Sequence, residues 1–222
     1  MLKIAVFDTG YGGELFADRL EEKLPVVEVI RIIAWRDAKA IAERPLAARK
    51  LVEKSLRSYI GNVDLLVIAN YQISATYLSY LRRKYKNQKF VGFTLKPKRI
   101  AKRPTIILTT KPTTRSFNYL SLTSRLKTKT LCLDDWPALI DDGELSDEQF
   151  QSDLAPAVAY ANNQHFCKRR SDLQVLLACG QFSDCIPEFR KAFGHNTRIV
   201  DSFDHTLAEV SRTLKLGYQK QT

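Results

Sequence analysis

Apolar residues along the chain follow two rhythms that alternate almost from end to end. Some form short unbroken runs rich in β-branched side chains; others recur every three or four positions over longer stretches. The first kind reads as strands buried on both faces, the second as helices with one apolar face. Residues 2–8 (LKIAVFD) are the first such run, followed by a glycine-rich turn and a helical pattern over 14–24. Further strands are expected over 26–34, 63–70, 90–94, 105–110, 129–133, 173–179 and 197–202. Helices are expected over 37–59, 73–85, 114–125, 147–163 and 183–193, with a last one after 202. Strands this apolar, each feeding a helix, imply parallel sheets covered on both sides. The expected fold class is α/β: two similar lobes, each a mainly parallel sheet flanked by helices, with a cleft between them.

Residues 95–115 hold seven Lys or Arg and no acid, with Pro97 and Pro104 among them, and read as a crossover between lobes. The chain is expected to return after Ser202, so that 1–94 with 203–222 form the first lobe and 95–202 the second. In 222 residues, 35 Lys and Arg against 24 Asp and Glu give a formal charge of +11. Charges interrupt every apolar run short of the roughly 18 residues a membrane span needs. Met1-Leu2-Lys3 leads straight into a strand containing Asp8, so no signal peptide is expected. Four cysteines without paired spacing suit cytosolic thiols better than a disulfide framework. Collagen, coiled coil, membrane protein and secreted knot are excluded, and a cytoplasmic location is expected.

In open α/β sheets ligands bind beyond the carboxyl ends of the strands, which makes strand ends the place to look for chemistry. Small, polar or nucleophilic residues gather at Asp8-Thr9-Gly10-Tyr11-Gly12-Gly13, Asn70-Tyr71-Gln72-Ile73-Ser74, Thr109 to Ser116, Cys179-Gly180-Gln181-Phe182-Ser183 and Asp201-Ser202. The glycine turn lacks the G-x-G-x-x-G spacing of a dinucleotide site. Thr113 or Thr114 reads as a helix N-cap, and the same free amides would suit an anion, with Arg115 adding charge. Cys179 ends an apolar strand and reads either as a small core residue or as a thiol stabilised at a helix start. His165, His195 and His205 have no metal-ligand spacing to the cysteines, and no G-x-S-x-G turn is present. The basic excess over 82–89, the crossover and 168–170 reads as solvated surface, so nucleic acid is not expected as a partner.

Taken together, these motifs resemble glutamate racemase, within the cofactor-independent aspartate/glutamate racemase superfamily. IAVFDTGYGG is similar to that family's strand followed by Asp-Ser-Gly-x-Gly-Gly, and VIANYQISA stands where the family has Val-Val-Ala-Cys-Asn-Thr-Ala-Ser-Ala. TLKP and ILTTKPTTRS resemble its Leu-Lys-Pro and Ala-Thr-x-Gly-Thr-Val-Arg-Ser; LLACGQF matches Leu-Gly-Cys-Thr-His-Tyr, and IVDS the late Ile-Asp-Ser. The family's chemistry sets two cysteines on opposite faces of the substrate: one thiolate removes the Cα proton and the other thiol returns one. Neither pyridoxal phosphate nor metal takes part, so the resemblance implies no cofactor.

By position, Cys179 matches the second cysteine and Asp8 the family's aspartate, and these are the candidate catalytic residues. Thr9, Asn70, Tyr71, Gln72, Thr110, Thr113, Gly180 and Gln181 are the candidate substrate contacts. Asn70 stands in the place of the first cysteine, and an amide does not exchange a carbon-bound proton. The family's Asn-Thr reads Tyr71-Gln72 here, its Thr-His reads Gly180-Gln181, and its Pro-Tyr-Gly loop reads Pro45-Leu46-Ala47. The resemblance thus implies a racemase-like protein without standard two-cysteine racemisation, binding a small acidic ligand (an amino acid or dicarboxylate) or a protein partner; a homodimer is compatible with it. Two alternatives stay open: a one-cysteine enzyme, decarboxylase- or isomerase-like, using Cys179, or a true racemase with another second base. Tyr71 is the titratable side chain beside the lost thiol, and its ordinary pKa of ~10 makes it a poor base.

Overall fold

The structure, a computed structural model, describes residues 1–37, 40–41, 45–94, 103–115 and 127–216. The chain divides into two compact units, Met1–Thr94 with Ser202–Thr222, and Leu95–Asp201. Each is built on a four-stranded parallel sheet flanked by helices.

In the first unit the strands are β1 (Leu2–Asp8), β2 (Val27–Ile33), β3 (Leu65–Ile68) and β4 (Phe90–Gly92), in the order β2-β1-β3-β4. Every pairing is parallel. β3 is apolar at all four positions and fully buried, as a central strand covered on both faces must be. The helices are α1 (Tyr11–Lys23), α2 (Pro45–Leu56) and α3 (Tyr71–Lys84). Of the expected helix over 37–59, Trp35–Asp37 forms a 3-10 turn, Ala40 and Ile41 are helical and α2 covers Pro45–Leu56, while 38–39 and 42–44 lie outside the described residues. α1 and α3 start two or three residues earlier than the apolar spacing suggests, immediately after their strands.

The second unit repeats the scheme with β5 (Thr105–Thr109), β6 (Thr128–Cys132), β7 (Gln174–Leu177) and β8 (Arg198–Val200), in the order β6-β5-β7-β8 and again all parallel. Its helices are α4 (Lys111–Thr114), α5 (Trp136–Asp141), α6 (Asp147–Ala161) and α7 (Ile186–Phe193). The expected helix over 183–193 splits into a 3-10 turn at Gln181–Cys185 and α7, because Pro187 has no N–H to continue the ladder. α5 had no counterpart in the apolar spacing. The helix expected over 114–125 lies outside the described residues apart from its first two, and so do Ser116 and residues 95–102 of the basic crossover. The core is aromatic: Trp136 stacks on Phe189 at 6.0 Å, lies 4.9 Å from Phe150, and gives its indole N–H to Asp153 Oδ2 at 2.8 Å.

The last helix, α8 (Phe203–Leu214), belongs to the first unit. Phe203 is buried there, its ring 5.3 Å from Phe16 and 5.6 Å from Phe93.

Candidate functional site

Both sheets have the same crossover pattern, and in each the chain leaves the two central strands toward opposite sides. The crevice beyond the carboxyl ends of those strands is the favoured ligand position in such sheets. In the first unit these strands are β1 and β3. The Ala69 N–H donates to Phe7 O at 2.8 Å, which extends their ladder and sets Asp8 beside Asn70. In the second they are β5 and β7; the Ala178 N–H donates to Leu108 O at 2.8 Å and brings Thr110 and Cys179 to neighbouring strand ends. Candidate residues scattered over the sequence therefore collect at these two points, each within its own unit.

Asn70 is the best-defined of them. Its Oδ1 accepts the Ile73 N–H at 2.9 Å, capping α3, while its Nδ2 donates to Asp8 Oδ1 at 2.8 Å and to Thr9 Oγ1 at 3.2 Å. A β-region residue before a helix whose side chain takes the third amide is what an asparagine N-cap does. Asp8 is buried and also accepts the Thr9 N–H at 2.6 Å. Gly13 is required by the same close packing: a Cβ there would lie 2.3 Å from the Asp8 Cβ. Tyr71 is buried, edge-on to Phe93 at 5.6 Å, and belongs to the aromatic cluster of this unit. Gln72 gives its side-chain N–H to Ile41 O at 3.2 Å. Ser74 donates to Ile68 O at 2.9 Å and so braces α3 on β3.

In the second unit the Thr-rich turn differs from expectation. The N-cap of α4 is Thr110, not Thr113 or Thr114, and its side chain makes no capping bond. Free amides for an anion are lacking at this turn: the Lys111 N–H goes to Asp134 Oδ1 at 2.6 Å, Pro112 has none, and the Thr113 and Thr114 N–H groups both reach Thr110 O. Thr113 is buried, with its hydroxyl 3.4 Å from that of Thr110, and Arg115 is exposed. The Cys179 thiol is half-buried against the core of this unit and donates to Gln181 Oε1 at 3.1 Å, with Gly180 between them.

Two other cysteines are unsuited to ionise. Burial pushes the Cys185 thiol up to about 12, with Glu188 and Asp184 adding to the effect. Burial likewise raises Cys132, reinforced by Asp134. Cys132 and Asp134 border a feature the sequence did not single out, a cleft of about 660 Å³ beside β6, which Lys111, Trp136, Gln149 and Asp153 also line. Its only sequence signal is the Asp134-Asp135 pair following a strand. Among the described residues no three metal-ligating side chains cluster, and no helix is long and apolar enough to cross a membrane.

No protein-family model matches the chain, and no curated protein matches it in sequence. Solved structures do match. Glutamate racemase from Campylobacter jejuni subsp. jejuni superposes with a TM-score of 0.76 at 22% identity, covering 100% of this chain and 89% of that one. Glutamate racemase from Francisella tularensis subsp. tularensis, in complex with D-glutamate, gives 0.79 at 16% identity over 99% of this chain and 84% of that one. Aspartate racemase from Picrophilus torridus gives 0.62 at 16% identity over 99% and 96%. The likeness is one of fold: two four-stranded parallel sheets flanked by helices, as in these racemases.

Proposed function

We propose that this racemase-fold chain does not carry out two-thiol racemisation and instead binds a small acidic ligand, an amino acid or dicarboxylate, or a protein partner. The observation supporting this reading is the use made of Asn70. At the position that the resemblance gives to the first cysteine, both ends of an amide are spent on capping α3 and bracing Asp8 and Thr9. Such a group positions its neighbours and moves no proton at carbon. Asp8, Thr9, Tyr71 and Gln72 in the first unit, and Thr110, Thr113, Cys179, Gly180 and Gln181 in the second, are the proposed site residues. A second reading, a one-thiol enzyme of decarboxylase or isomerase type, is favoured by the retained Cys179 thiol at the β7 end, which carries a proton toward Gln181.

Incubation of the chain with D- and L-glutamate and aspartate in D2O, followed by NMR and chiral chromatography, separates the readings. No interconversion is expected, because racemisation needs proton exchange on both faces of Cα. Among amino acids and dicarboxylates, a ligand that prefers the native state raises the melting temperature. Asn70→Cys alone is expected to leave racemisation absent, since Tyr71, Gln72, Gly180 and Gln181 remain and slight misplacement of a substrate costs orders of magnitude. Robust racemisation by the unaltered protein, lost in Cys179→Ser, would overturn the proposal. Stereoselective protonation of a malonate-type acid on decarboxylation would establish the second reading.

A further inference from the structure

The cations that look scattered along the second unit's sequence are gathered by its fold. The register aligns the first residues of all four strands in one row: Thr128 beside Thr105, Thr105 beside Gln174, and Gln174 beside Arg198. Three interstrand steps make that row about 14 Å wide. Arg103 lies just before β5, Lys127 just before β6, Lys129 within β6, Lys168 and Arg169 on the approach to β7, and Arg198 at the start of β8.

Specific bonds hold the approach segments together. The Arg103 guanidinium donates to Ser171 O at 3.0 Å, Lys127 Nζ to His165 O at 2.9 Å, and the Gln174 N–H to Pro104 O at 3.0 Å. Among the described residues of these approaches, Asp172 is the one acid. By contrast, Asp134, Asp135 and Asp184 follow the carboxyl ends of β6 and β7. The sheet thus has a cationic amino-terminal rim, and acids lie beyond the other.

Aromatic rings are set among these cations. Lys129 Nζ lies 4.8 Å from the Tyr160 ring centre and Lys127 Nζ 5.7 Å from that of Phe166, while the two rings meet edge to face at 4.7 Å. Tyr160 is 36% exposed at the end of α6, so part of this aromatic side chain reaches solvent among the cations. Cations tracking a backbone, with an exposed ring on which bases stack, is the combination that holds single-stranded nucleic acid without sequence preference. An acidic protein or an anionic membrane would use the charge but has no need of the ring.

We infer that the amino-terminal rim of the second sheet is a binding surface for single-stranded nucleic acid. This goes beyond the proposed function and uses none of its residues, and it departs from the expectation that the basic excess is only solvated surface. The experiment is fluorescence anisotropy of the full chain with a labelled oligouridylate of about 20 nucleotides at increasing salt. Six cations facing phosphates, each releasing ~0.7 of a counterion, give an expected slope of log K against log salt of about −4.

The double change Lys127→Glu with Lys129→Glu is expected to weaken binding about tenfold or more, whereas Lys50→Glu with Lys54→Glu on α2, the same change in net charge, alters it less than about twofold. Arg198→Glu provides an independent rim variant should the first pair melt early by circular dichroism. Tyr160→Ala is expected to weaken the single strand more than a duplex of equal length. Absence of salt-dependent binding, equal weakening by both lysine pairs, or tighter binding to duplex, to an acidic peptide or to phosphatidylserine vesicles overturns the inference.

Discussion

At the scale of single residues, what a side chain does is set by its partners more than by its type. Asn70 spends one end of its amide on a helix cap and the other on the two residues that close β1. Asn70→Ala is therefore expected to lower the free energy of unfolding by about 1–2 kcal/mol, from the lost cap and from buried Asp8 losing a donor, measurable by urea titration. Cys185 gives a pH-dependent prediction. Its native pKa is raised by burial from 9.0 to about 12, so between those values the native state keeps a proton that the unfolded chain releases. The native state is therefore at no disadvantage from this thiol below about pH 9 and loses stability as pH rises from there toward 12. In Cys185→Ala the decline over that window is expected to be shallower, and alkylation at pH 8 followed by mass spectrometry is expected to leave Cys185 unlabelled in the native protein.

Elements show where periodicity reads well and where it fails. β1, β5 and β7 are visible as apolar runs because central parallel strands are apolar on both faces. Helix starts are less legible. Gly12 and Gly13 read as a turn from their low helix propensity, yet both lie in the first turn of α1. The tight approach of α1 to β1 is what calls for the missing side chain: a Cβ on Gly13 would also come within 3.1 Å of Ile33. Gly13→Ala is expected to destabilise the protein by roughly 1–3 kcal/mol despite alanine's better propensity, as overpacking does, and a lowered melting temperature would show it. If Gly13→Ala raised the melting temperature, propensity rather than packing would govern that turn.

At the scale of the whole molecule, the repeated strand order brings the two sets of candidate residues to equivalent positions, one in each unit. The first unit is completed only by the chain's last described helix, with Phe203 set against Phe16 and Phe93. Phe203→Ala removes a ring that is 2% exposed, and a loss of about 3–5 kcal/mol is expected, read as a shift in the denaturation midpoint. A loss below about 1 kcal/mol would mean that the core closes over the gap without α8, well outside the usual range for a deleted buried ring.

By itself the sequence determined the α/β class, the central strands and the strand ends where small polar residues collect, because burial on both faces and runs of small polar residues leave marks that are local in the chain. It also carried Asn70 itself, at the position that the resemblance gives to the family's first cysteine, because residue type at one position is local in the chain. Tertiary structure alone decided that Asn70 caps and braces, that Tyr71 enters an aromatic cluster, and that the amides of the Thr110 turn are already taken, by Asp134 and by Thr110 O. It also decided that cations as distant as Arg103 and Arg198 share one rim. Each of these depends on which strands lie side by side and in what register, and pairing between segments tens of residues apart leaves no periodic trace within either one.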